Sequence, residues 1–263
     1  MERHLDRPRI VKLLEKKKET ELVTTLRFDD DADAGPGQYV MVWVPGVDEI
    51  PMSLTYLGPR KGIAVHAKGE ATKALVSIGV GDRVGLRGPY GNGFRAVRGK
   101  ALVVAGGTGI ASLSPLIETL SKKGPKPTVV IGAKTAGELL YVKRVKKLGA
   151  DVIITTDDGT EGRKGFATDA ASEQLSKAKF KQVYTCGPEI MMKAVAEMGR
   201  CHHVPVQVSL ERFMKCGIGI CDACAVSGIQ VCIEGPVFCG QTALELVEFG
   251  KYRRGPSGLK ERL

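Results

Sequence analysis

Short apolar segments rich in β-branched residues cover the first third of the chain, and proline and glycine residues separate them. Strands of this length at this spacing are typical of a small antiparallel barrel. A helical or turn segment at 72–80 interrupts the series. The six predicted strands are 9–14, 21–28, 38–44, 52–57, 62–67 and 83–87.

Beyond Gly99 the pattern changes to continuous apolar runs that alternate with helical segments. This alternation predicts a doubly wound α/β domain with a parallel sheet. The predicted strands are 101–105, 128–132, 152–156 and 182–185, and the predicted helices are 110–122, 137–148, 168–177 and 189–198.

A glycine turn follows the first strand of this second domain and reads Gly106-Gly107-Thr108-Gly109. A strand, a glycine turn and a helix in this order bring backbone N–H groups and a helix N-terminus to a pyrophosphate. The spacing departs from G-x-G-x-x-G, so a tight turn without a ligand is the alternative. Cys186-Gly187-Pro188 follows the last predicted strand. It therefore lies at the edge of the sheet where ligands bind in such folds.

Four cysteines near the C-terminus have the C-x4-C-x2-C…C spacing of plant-type [2Fe–2S] ligands. Gly217 and Gly219 lie between the first two cysteines, where a positive φ and free N–H groups allow the backbone to wrap around inorganic sulfide. The ligands predicted in this way are Cys216, Cys221, Cys224 and Cys232.

Two alternatives stay open for this cysteine motif. A structural zinc site usually combines two C-x2-C units, and only Cys221 and Cys224 form one. Within the [2Fe–2S] interpretation, Cys239 competes with Cys232 as the fourth ligand.

The composition restricts the classes of function. A transmembrane helix needs about 18 consecutive apolar residues, and no apolar run in the sequence is that long. Residues 1–8 are too polar for a signal peptide. We therefore expect a cytoplasmic protein without membrane contact. The net charge is +10, but only 5% of the residues are aromatic and the basic residues are spread along the chain. We therefore expect solvated surface charge and no nucleic-acid binding.

Together, these motifs resemble the ferredoxin–NADP reductase superfamily and, more closely, the electron-transfer subunits of class B dihydroorotate dehydrogenases. The resemblance covers nearly the whole chain and implies a flavin-binding barrel, an NAD(P)-binding domain and a [2Fe–2S] domain at 1–96, 97–203 and 204–263. Residues 231–238 are similar to the family's V-C-x-D-G-P-V-F segment, which favours Cys232 over Cys239. The other similar segments are Pro51-Met52-Ser53 (flavin motif R-P-x-S), 69–72 (diphosphate turn G-x-G-T), 88–94 (interdomain loop G-P-x-G-x-G-F), and 106–111 and 186–191 (NAD(P) motifs).

Two departures from the family pattern concern the flavin. Ile50 stands where the motif usually has an arginine that pairs with a flavin phosphate, so a neighbouring lysine or arginine has to substitute. Ala71 replaces the second glycine of the diphosphate turn, which requires a negative φ at that position.

The resemblance implies three cofactors, FAD, a [2Fe–2S] cluster and NAD, and no catalytic acid–base pair. It implies that Ser53 binds the flavin ring and that Cys186 lies near the nicotinamide. The implied FAD-binding residues are Ile50, Pro51, Met52, Ser53, Ala64, Val65, His66, Ala71 and Thr72. The implied NAD-binding residues are Gly106, Gly107, Thr108, Gly109, Cys186, Gly187 and Pro188.

The resemblance also implies a function in pyrimidine biosynthesis. Electrons are expected to pass from the FMN of a separate dihydroorotate dehydrogenase catalytic subunit through [2Fe–2S] and FAD to NAD+, in a heterotetramer with two copies of each subunit. The alternatives are a diaphorase-type subunit of a soluble hydrogenase or ferredoxin:NAD(P) oxidoreductase, and a zinc-stapled nucleotide-binding regulator. The residues do not decide between NAD and NADP, since Lys134, Arg163 and Lys164 either bind a 2′-phosphate or are surface charge; the family leans to NAD.

Overall fold

The computed structural model describes residues 7–255 and 257–263. The interpretation of residues 1–8 as too polar for a signal peptide therefore lies almost entirely outside the described residues. Within the described ranges, none of the helices has both the length and the apolar character needed to cross a bilayer.

The N-terminal third forms a closed barrel of six antiparallel strands in the order β1-β2-β5-β4-β3-β6. The predicted barrel is confirmed, and its two largest boundary differences are a later end of β1 and an earlier start of β4. The elements are β1 (Arg9–Lys18), β2 (Val23–Asp29), β3 (Tyr39–Val44), β4 (Asp48–Tyr56), β5 (Arg60–His66), α1 (Glu70–Ser77) and β6 (Arg83–Tyr90).

Strand β3 is buried on both faces, which is unusual for a barrel with a solvated outside. Val40 and Val42 point into the barrel core. Tyr39 and Met41 point outwards and pack into a second core that includes Cys224 and residues further towards the C-terminus. This alternation along β3 attaches the cysteine segment directly to the barrel wall.

The second unit is the doubly wound α/β region that the alternating pattern predicts. Its elements are β7 (Ala101–Gly106), α2 (Gly109–Lys123), β8 (Thr128–Ala133), α3 (Val142–Lys147), β9 (Asp151–Thr156), β10 (Arg163–Lys164), α4 (Ala167–Lys177), β11 (Gln182–Cys186), α5 (Glu189–Cys201) and β12 (Val206–Ser209).

The C-terminal region consists of short elements around the cysteine motif. They are β13 (Ala225–Val226), β14 (Ile229–Gln230), α6 (Val231–Glu234), β15 (Val237–Cys239), α7 (Gly240–Glu245), β16 (Tyr252–Arg254) and β17 (Lys260–Arg262).

One seven-stranded sheet joins these two regions, in the order β10-β9-β8-β7-β11-β12-β15. All neighbours are parallel except β12 and β15, which are antiparallel. Strand β12 was not expected from the sequence, and it lies beyond the predicted boundary at residue 203. The residues predicted as the third domain, 204–263, therefore contribute two strands, β12 and β15, to the nucleotide-binding sheet, while the domain boundaries themselves stay a prediction.

The predicted helix at 137–148 is confirmed only over Val142–Lys147. A 3-10 turn at Ala136–Glu138 and the short helix α3 replace it. Tyr141 breaks the helix with a φ of 58°, and its hydroxyl lies 2.6 Å from Thr25 Oγ1 on the barrel. From α3, Arg144 donates to the carbonyl of Thr55 at 2.7 Å. The helix is interrupted at Tyr141, and the side chains of Tyr141 and Arg144 join this segment to the barrel.

Candidate cofactor sites

A cleft of about 280 Å³ lies between the barrel and the nucleotide-binding sheet. It brings together most of the residues that the family resemblance implies for FAD. Strands β4 and β5, the start of α1, the start of α2 and the segment after β12 contribute to it. The lining residues are Tyr39, Pro51, Met52, Ser53, Ala64, His66, Lys68, Thr72, Thr108, Ala111, Ser112, Leu210, Glu211, Arg212, Met214 and Pro236.

Three of the predicted flavin residues do not line this cleft. Ile50 packs against the barrel core, and Val65 is fully buried within that core. Ala71 is buried in the first turn of α1, where its φ is negative as the diphosphate turn requires. Any contact of Val65 or Ala71 with a flavin therefore runs through backbone groups.

The N-terminus of α1 faces the cleft and suits an anionic diphosphate. The Thr72 hydroxyl organises it by accepting hydrogen bonds from the N–H groups of Lys68 at 3.0 Å and Gly69 at 2.9 Å. The Lys68 side chain lines the same cleft. Lys68 thus supplies a positive charge to the cleft of a chain that has Ile50 in place of the arginine of the flavin motif.

His66 lies on the cleft wall at the end of β5. Burial lowers its pKa, and the nearby Lys68 charge lowers it further. His66 is therefore uncharged at neutral pH and offers a polar, uncharged contact.

The segment that follows β12 supplies cleft residues that sequence reasoning missed. Glu211 and Arg212 line the cleft, and the buried Arg212 guanidinium forms an ion pair with Glu189. In parallel sheets ligands bind at the carboxyl ends of the strands. Recognition of β12 as a strand would therefore have indicated these residues, but Pro205 and the polar Gln207 obscured it.

A second cavity, of about 460 Å³, lies at the carboxyl ends of β7, β8 and β11 and suits a dinucleotide. Gly106 and Gly107 form part of its wall, together with Pro188. A Cβ atom on Gly106 would lie 2.6 Å from Pro188 Cδ and 2.8 Å from Met191 Sδ, so a side chain there would fill the cradle. Gly107 has a φ of 53° and open space around it.

The glycine turn separates the two cavities. Gly106 and Gly107 face the nucleotide cavity, whereas Thr108 lines the flavin cleft. Gly109 packs directly against the carbonyl of Cys186, which leaves no room for a side chain. A Cβ on Gly187 would approach Gly106 N to 2.8 Å, so these two turns are also locked together.

Cys186 is fully buried behind these turns, and burial raises the pKa of its thiol to about 12. The thiol is therefore protonated and belongs to neither cavity wall as described. Its expected position near a nicotinamide stays a prediction.

Charged groups in the nucleotide cavity are two carboxylates, Glu138 and Asp157, and one lysine, Lys134. Arg163 is outside the cavity lining and pairs with Glu173. Of the basic residues considered for a 2′-phosphate, only Lys134 lines this cavity, and two carboxylates accompany it there.

The thiols of the cysteine loop, residues 216–232, influence one another most strongly in two pairs. Cys221 is the thiol that most affects the pKa of Cys216, and Cys224 is the thiol that most affects the pKa of Cys232. A [2Fe–2S] cluster takes two protein ligands on each iron, whereas zinc needs four ligands around one point. Within the described residues, no three Cys, His, Asp or Glu side chains are grouped to hold one metal ion. The pairing suits the two-iron cluster.

Backbone N–H groups point at the thiols of the cysteine loop. Although burial opposes it, N–H groups of Ile220, Ile218 and Cys221 lower the pKa of Cys216 to about 6. Ile220 N lies 3.4 Å from Cys216 Sγ. Donors of this kind stabilise sulfur that carries negative charge, as cluster ligands do.

Burial and the neighbouring Cys224 raise the pKa of Cys232 to about 12. The pKa values of the two ends of the cysteine loop therefore move in opposite directions.

The two glycines of the cysteine loop have the positive φ that was predicted, 72° at Gly217 and 76° at Gly219. Cys239 lies apart on β15, beside a groove that α5 residues line and that none of the other motif cysteines reaches. This placement favours Cys232 as the fourth ligand.

Three polar side chains from the N-terminal third hold the cysteine loop and the residues that directly follow it. Tyr39 Oη donates to the carbonyl oxygens of Cys232 at 3.1 Å and Gly217 at 3.3 Å. Arg87, which a bidentate pair with Glu49 fixes, donates to the Cys216 carbonyl at 3.0 Å. Asn92, the only asparagine of the chain, donates to the carbonyls of residues 233 and 234 at 3.3 and 2.9 Å.

A barrel with a flavin-sized cleft, a dinucleotide cavity and a cysteine loop define a flavin-dependent, pyridine-nucleotide-linked reductase. Family comparisons agree. Residues 103–197 match the family described as "Oxidoreductase NAD-binding domain". Residues 211–243 match the "Iron-sulfur cluster binding domain of dihydroorotate dehydrogenase B".

Curated relatives match nearly end to end. The probable dihydroorotate dehydrogenase B (NAD(+)) electron transfer subunit of Methanocaldococcus jannaschii is 44% identical over 258 residues, which cover 97% of this chain and 99% of the relative. The corresponding Thermoplasma volcanium protein is 44% identical over 253 residues, 96% and 98% of the two chains. The chain therefore belongs to the family of dihydroorotate dehydrogenase B electron transfer subunits.

Solved structures show the same architecture. An NADH-dependent reduced ferredoxin–NADP oxidoreductase has a TM-score of 0.80 at 32% identity and covers 88% of both chains. The cytochrome b5 reductase domain of Ulva prolifera nitrate reductase has a TM-score of 0.60 at 19% identity, covers 74% of this chain and 94% of that one, and shows the shared fold alone.

Proposed function

We propose that this chain carries electrons within a two-subunit enzyme that oxidises dihydroorotate and reduces NAD+ during pyrimidine biosynthesis. The observation that supports this most directly is the sequence of three sites in one chain. The cysteine loop is bonded to Tyr39, Tyr39 lines the flavin cleft, and the Gly106–Thr108 turn separates that cleft from the nucleotide cavity.

The three sites suit a [2Fe–2S] cluster, FAD and NAD. When bound, FAD exchanges a hydride with a nicotinamide and single electrons with an iron–sulfur cluster, so it belongs between the other two. Four thiols that interact in two pairs, with N–H donors aimed at them, fit the cluster. The N-terminus of α1 and the Lys68 ammonium group supply positive potential on one side of the cleft, which suits the FAD diphosphate.

The chain's own residues bind and orient these groups. Ser53 presents its hydroxyl in the cleft, directly across the strand pair from Tyr39. The backbone of β5 and the polar side chain of His66 lie along the same wall. Gly106 and Gly107 leave room for the pyrophosphate of NAD. We assign the cluster ligands to Cys216, Cys221, Cys224 and Cys232.

The electron balance defines the task of the partner subunit. Oxidation of one dihydroorotate to orotate releases two electrons and two protons, and reduction of one NAD+ takes up two electrons and one proton. The oxidation occurs on a catalytic subunit, which in our proposal carries FMN and forms a heterotetramer with two copies of each chain. The relatives are named as electron transfer subunits, which supports such a partner.

Within the chain we retain the assignment of 1–96 to the flavin barrel, 97–203 to the NAD domain and 204–263 to the cluster domain. Residues 204–263 contribute strands β12 and β15 to the sheet of the NAD domain. None of the seven cysteines, all of which lie in the described residues, forms a disulfide. This suits a reducing compartment, so we place the protein in the cytoplasm.

The experiment compares the chain alone with the chain co-purified with its catalytic subunit. Both preparations are expected to oxidise NADH with ferricyanide, because flavin and cluster are present in each. Only the complex is expected to reduce NAD+ with dihydroorotate. Turnover of dihydroorotate by the isolated chain would contradict the division of labour proposed here.

The 32% identical reductase structure supports a second candidate, in which ferredoxin is the one-electron partner. The same preparations test it. Reduction of NAD+ by reduced ferredoxin at a rate above that with dihydroorotate would favour this candidate. It would leave the cofactor sites unchanged.

A further inference from the structure

Tyr39 lies where two cofactor sites meet. The residue is 3% exposed and lines the flavin cleft. Its hydroxyl donates to the carbonyls of Cys232 and Gly217 in a three-centre hydrogen bond. One residue thus belongs to the cleft lining and is hydrogen-bonded to the backbone of a proposed cluster ligand.

The barrel fixes this position from several directions. Tyr39 is paired with Ser53 on β4 and with Tyr90 on β6. The register between β3 and β6 shifts immediately after Tyr39, a β-bulge of the kind that re-aims a side chain. The Tyr39 and Tyr90 rings lie 5.9 Å apart, which restricts rotation of the phenol.

The chemistry of the hydroxyl sets its direction. A phenol is protonated at neutral pH, so Tyr39 donates and the two carbonyls accept. The peptide planes of Cys232 and Gly217 are therefore held with their carbonyls towards the barrel. The two bonds lie on either side of the cysteine loop, since Gly217 follows the first cysteine and Cys232 is the last.

We propose that Tyr39 is a positioning residue that couples the flavin cleft to the cluster, by holding the backbone of the cysteine loop with its hydroxyl while the same residue lines the cleft. This inference rests on the proposed function. Partners outside the ligand set orient metal ligands, and their removal typically lowers metal affinity or activity by about 10- to 100-fold. Hydrogen bonding and solvent access around a cluster also set its reduction potential.

The test is Tyr39→Phe in the complete complex, which keeps the ring and removes the hydroxyl. After anaerobic mixing with NADH, bleaching of the flavin is expected at the wild-type rate. The subsequent reduction of the cluster is expected to slow by about 10-fold or more. The electron paramagnetic resonance spectrum of the reduced cluster is expected to shift, because the Cys232 peptide is no longer fixed.

The matched control is Tyr184→Phe. Tyr184 is equally buried, and its hydroxyl bonds to Arg95 O at 2.9 Å and Val97 N at 3.1 Å, away from the cysteine loop. This variant removes a buried hydroxyl of the same kind and is expected to change neither the cluster reduction rate nor the spectrum.

Unchanged cluster reduction and an unchanged spectrum in Tyr39→Phe would overturn the proposal, as would an equal effect of Tyr184→Phe. If Tyr39→Phe does not fold, a ring-fluorinated tyrosine at residue 39 makes a stronger donor, and it is expected to shift the spectrum; no shift would equally overturn the proposal. A wild-type complex that lacks a cluster or does not oxidise NADH would instead refute the proposed function, so the two failures are distinguishable.

Discussion

The cysteine loop and the flavin cleft are built in opposite ways. All four proposed cluster ligands lie within residues 216–232, whereas the cleft is lined by residues as far apart in sequence as Tyr39 and Pro236. The spacing of the cysteines therefore predicts their chemistry directly. The cleft exists only after barrel, sheet and C-terminal segment have packed together. A site formed by one segment can be predicted from the sequence, whereas a site formed by several distant segments can be predicted only once the fold is known.

The two regions nevertheless share one support, the outer face of the barrel. Tyr39, Arg87 and Asn92 bond to backbone carbonyls of the C-terminal segment. None of these bonds involves the thiols themselves. The thiols that bind the cluster and the side chains that hold the backbone of the C-terminal segment are thus different residues. Substitutions can therefore test the two roles one at a time.

The largest effect is expected from the ligands. Cys232→Ser is expected to abolish the cluster and, with it, dihydroorotate-driven NAD+ reduction by the complex, because serine replaces a thiolate that iron requires. NADH oxidation with a two-electron acceptor is expected to persist, since the flavin cleft keeps its lining. Iron content and flavin content per chain give the readout.

Cys239→Ser is the control for this prediction, because Cys239 is exposed on β15 and lines a groove to which the four proposed ligands do not contribute. It is expected to retain the cluster. Cluster loss in Cys239→Ser with retention in Cys232→Ser would reassign the fourth ligand, and flavin loss in Cys232→Ser would show that the two regions are interdependent.

The next effect concerns the glycine turn between the cavities. Gly106→Ala places a Cβ against Pro188 and Met191, two residues that line the proposed NAD cavity, and forces this part of the wall to move. We expect the KM for NADH to rise by about 10- to 100-fold, as for overpacking that costs about 1–3 kcal/mol. Gly58→Ala, where nothing lies within 4 Å of the added Cβ, is the matched control. An unchanged KM in Gly106→Ala would place NAD elsewhere.

A smaller effect is expected from the charge of the nucleotide cavity. Asp157→Ser removes a carboxylate that would repel the 2′-phosphate of NADPH, while Lys134 remains. An exposed charge pair is worth about 1–2 kcal/mol, so the preference for NADH over NADPH is expected to fall about 10-fold. Asp151→Ser, at the opposite end of β9, is expected to leave the preference unchanged. Equal ratios of kcat/KM in the two variants would contradict this role for Asp157.

The smallest effect tests the barrel support. Asn92→Ala removes two hydrogen bonds to the C-terminal segment. Since Asn92 is exposed, we expect the free energy of unfolding to fall by about 1 kcal/mol. Loss of cluster absorbance in urea measures it. Gln241→Ala, an exposed amide on α7, is the control. A larger loss in the control than in Asn92→Ala would mean that Asn92 does not hold this segment.

Hydrophobic periodicity was sufficient to predict the six barrel strands and the first strands of the sheet, because each of them buries a regular apolar pattern. It failed at β12, which has four residues after Pro205 and two polar side chains, and it failed at 137–148, where Tyr141 and Arg144 serve the contact with the barrel. The cleft residues Glu211 and Arg212 were lost with β12. Tyr39 lies in a predicted strand, but only the bulge and the packed C-terminal segment reveal what its hydroxyl contacts.

The most direct test of the central claim is an anaerobic reductive titration of the purified chain, followed by absorbance and electron paramagnetic resonance. We expect uptake of about three electrons per chain, two by FAD and one by a [2Fe–2S] cluster, with NADH able to reduce both. Uptake of two electrons or none, with zinc in place of iron, would contradict the claim that this chain joins a one-electron partner to NAD.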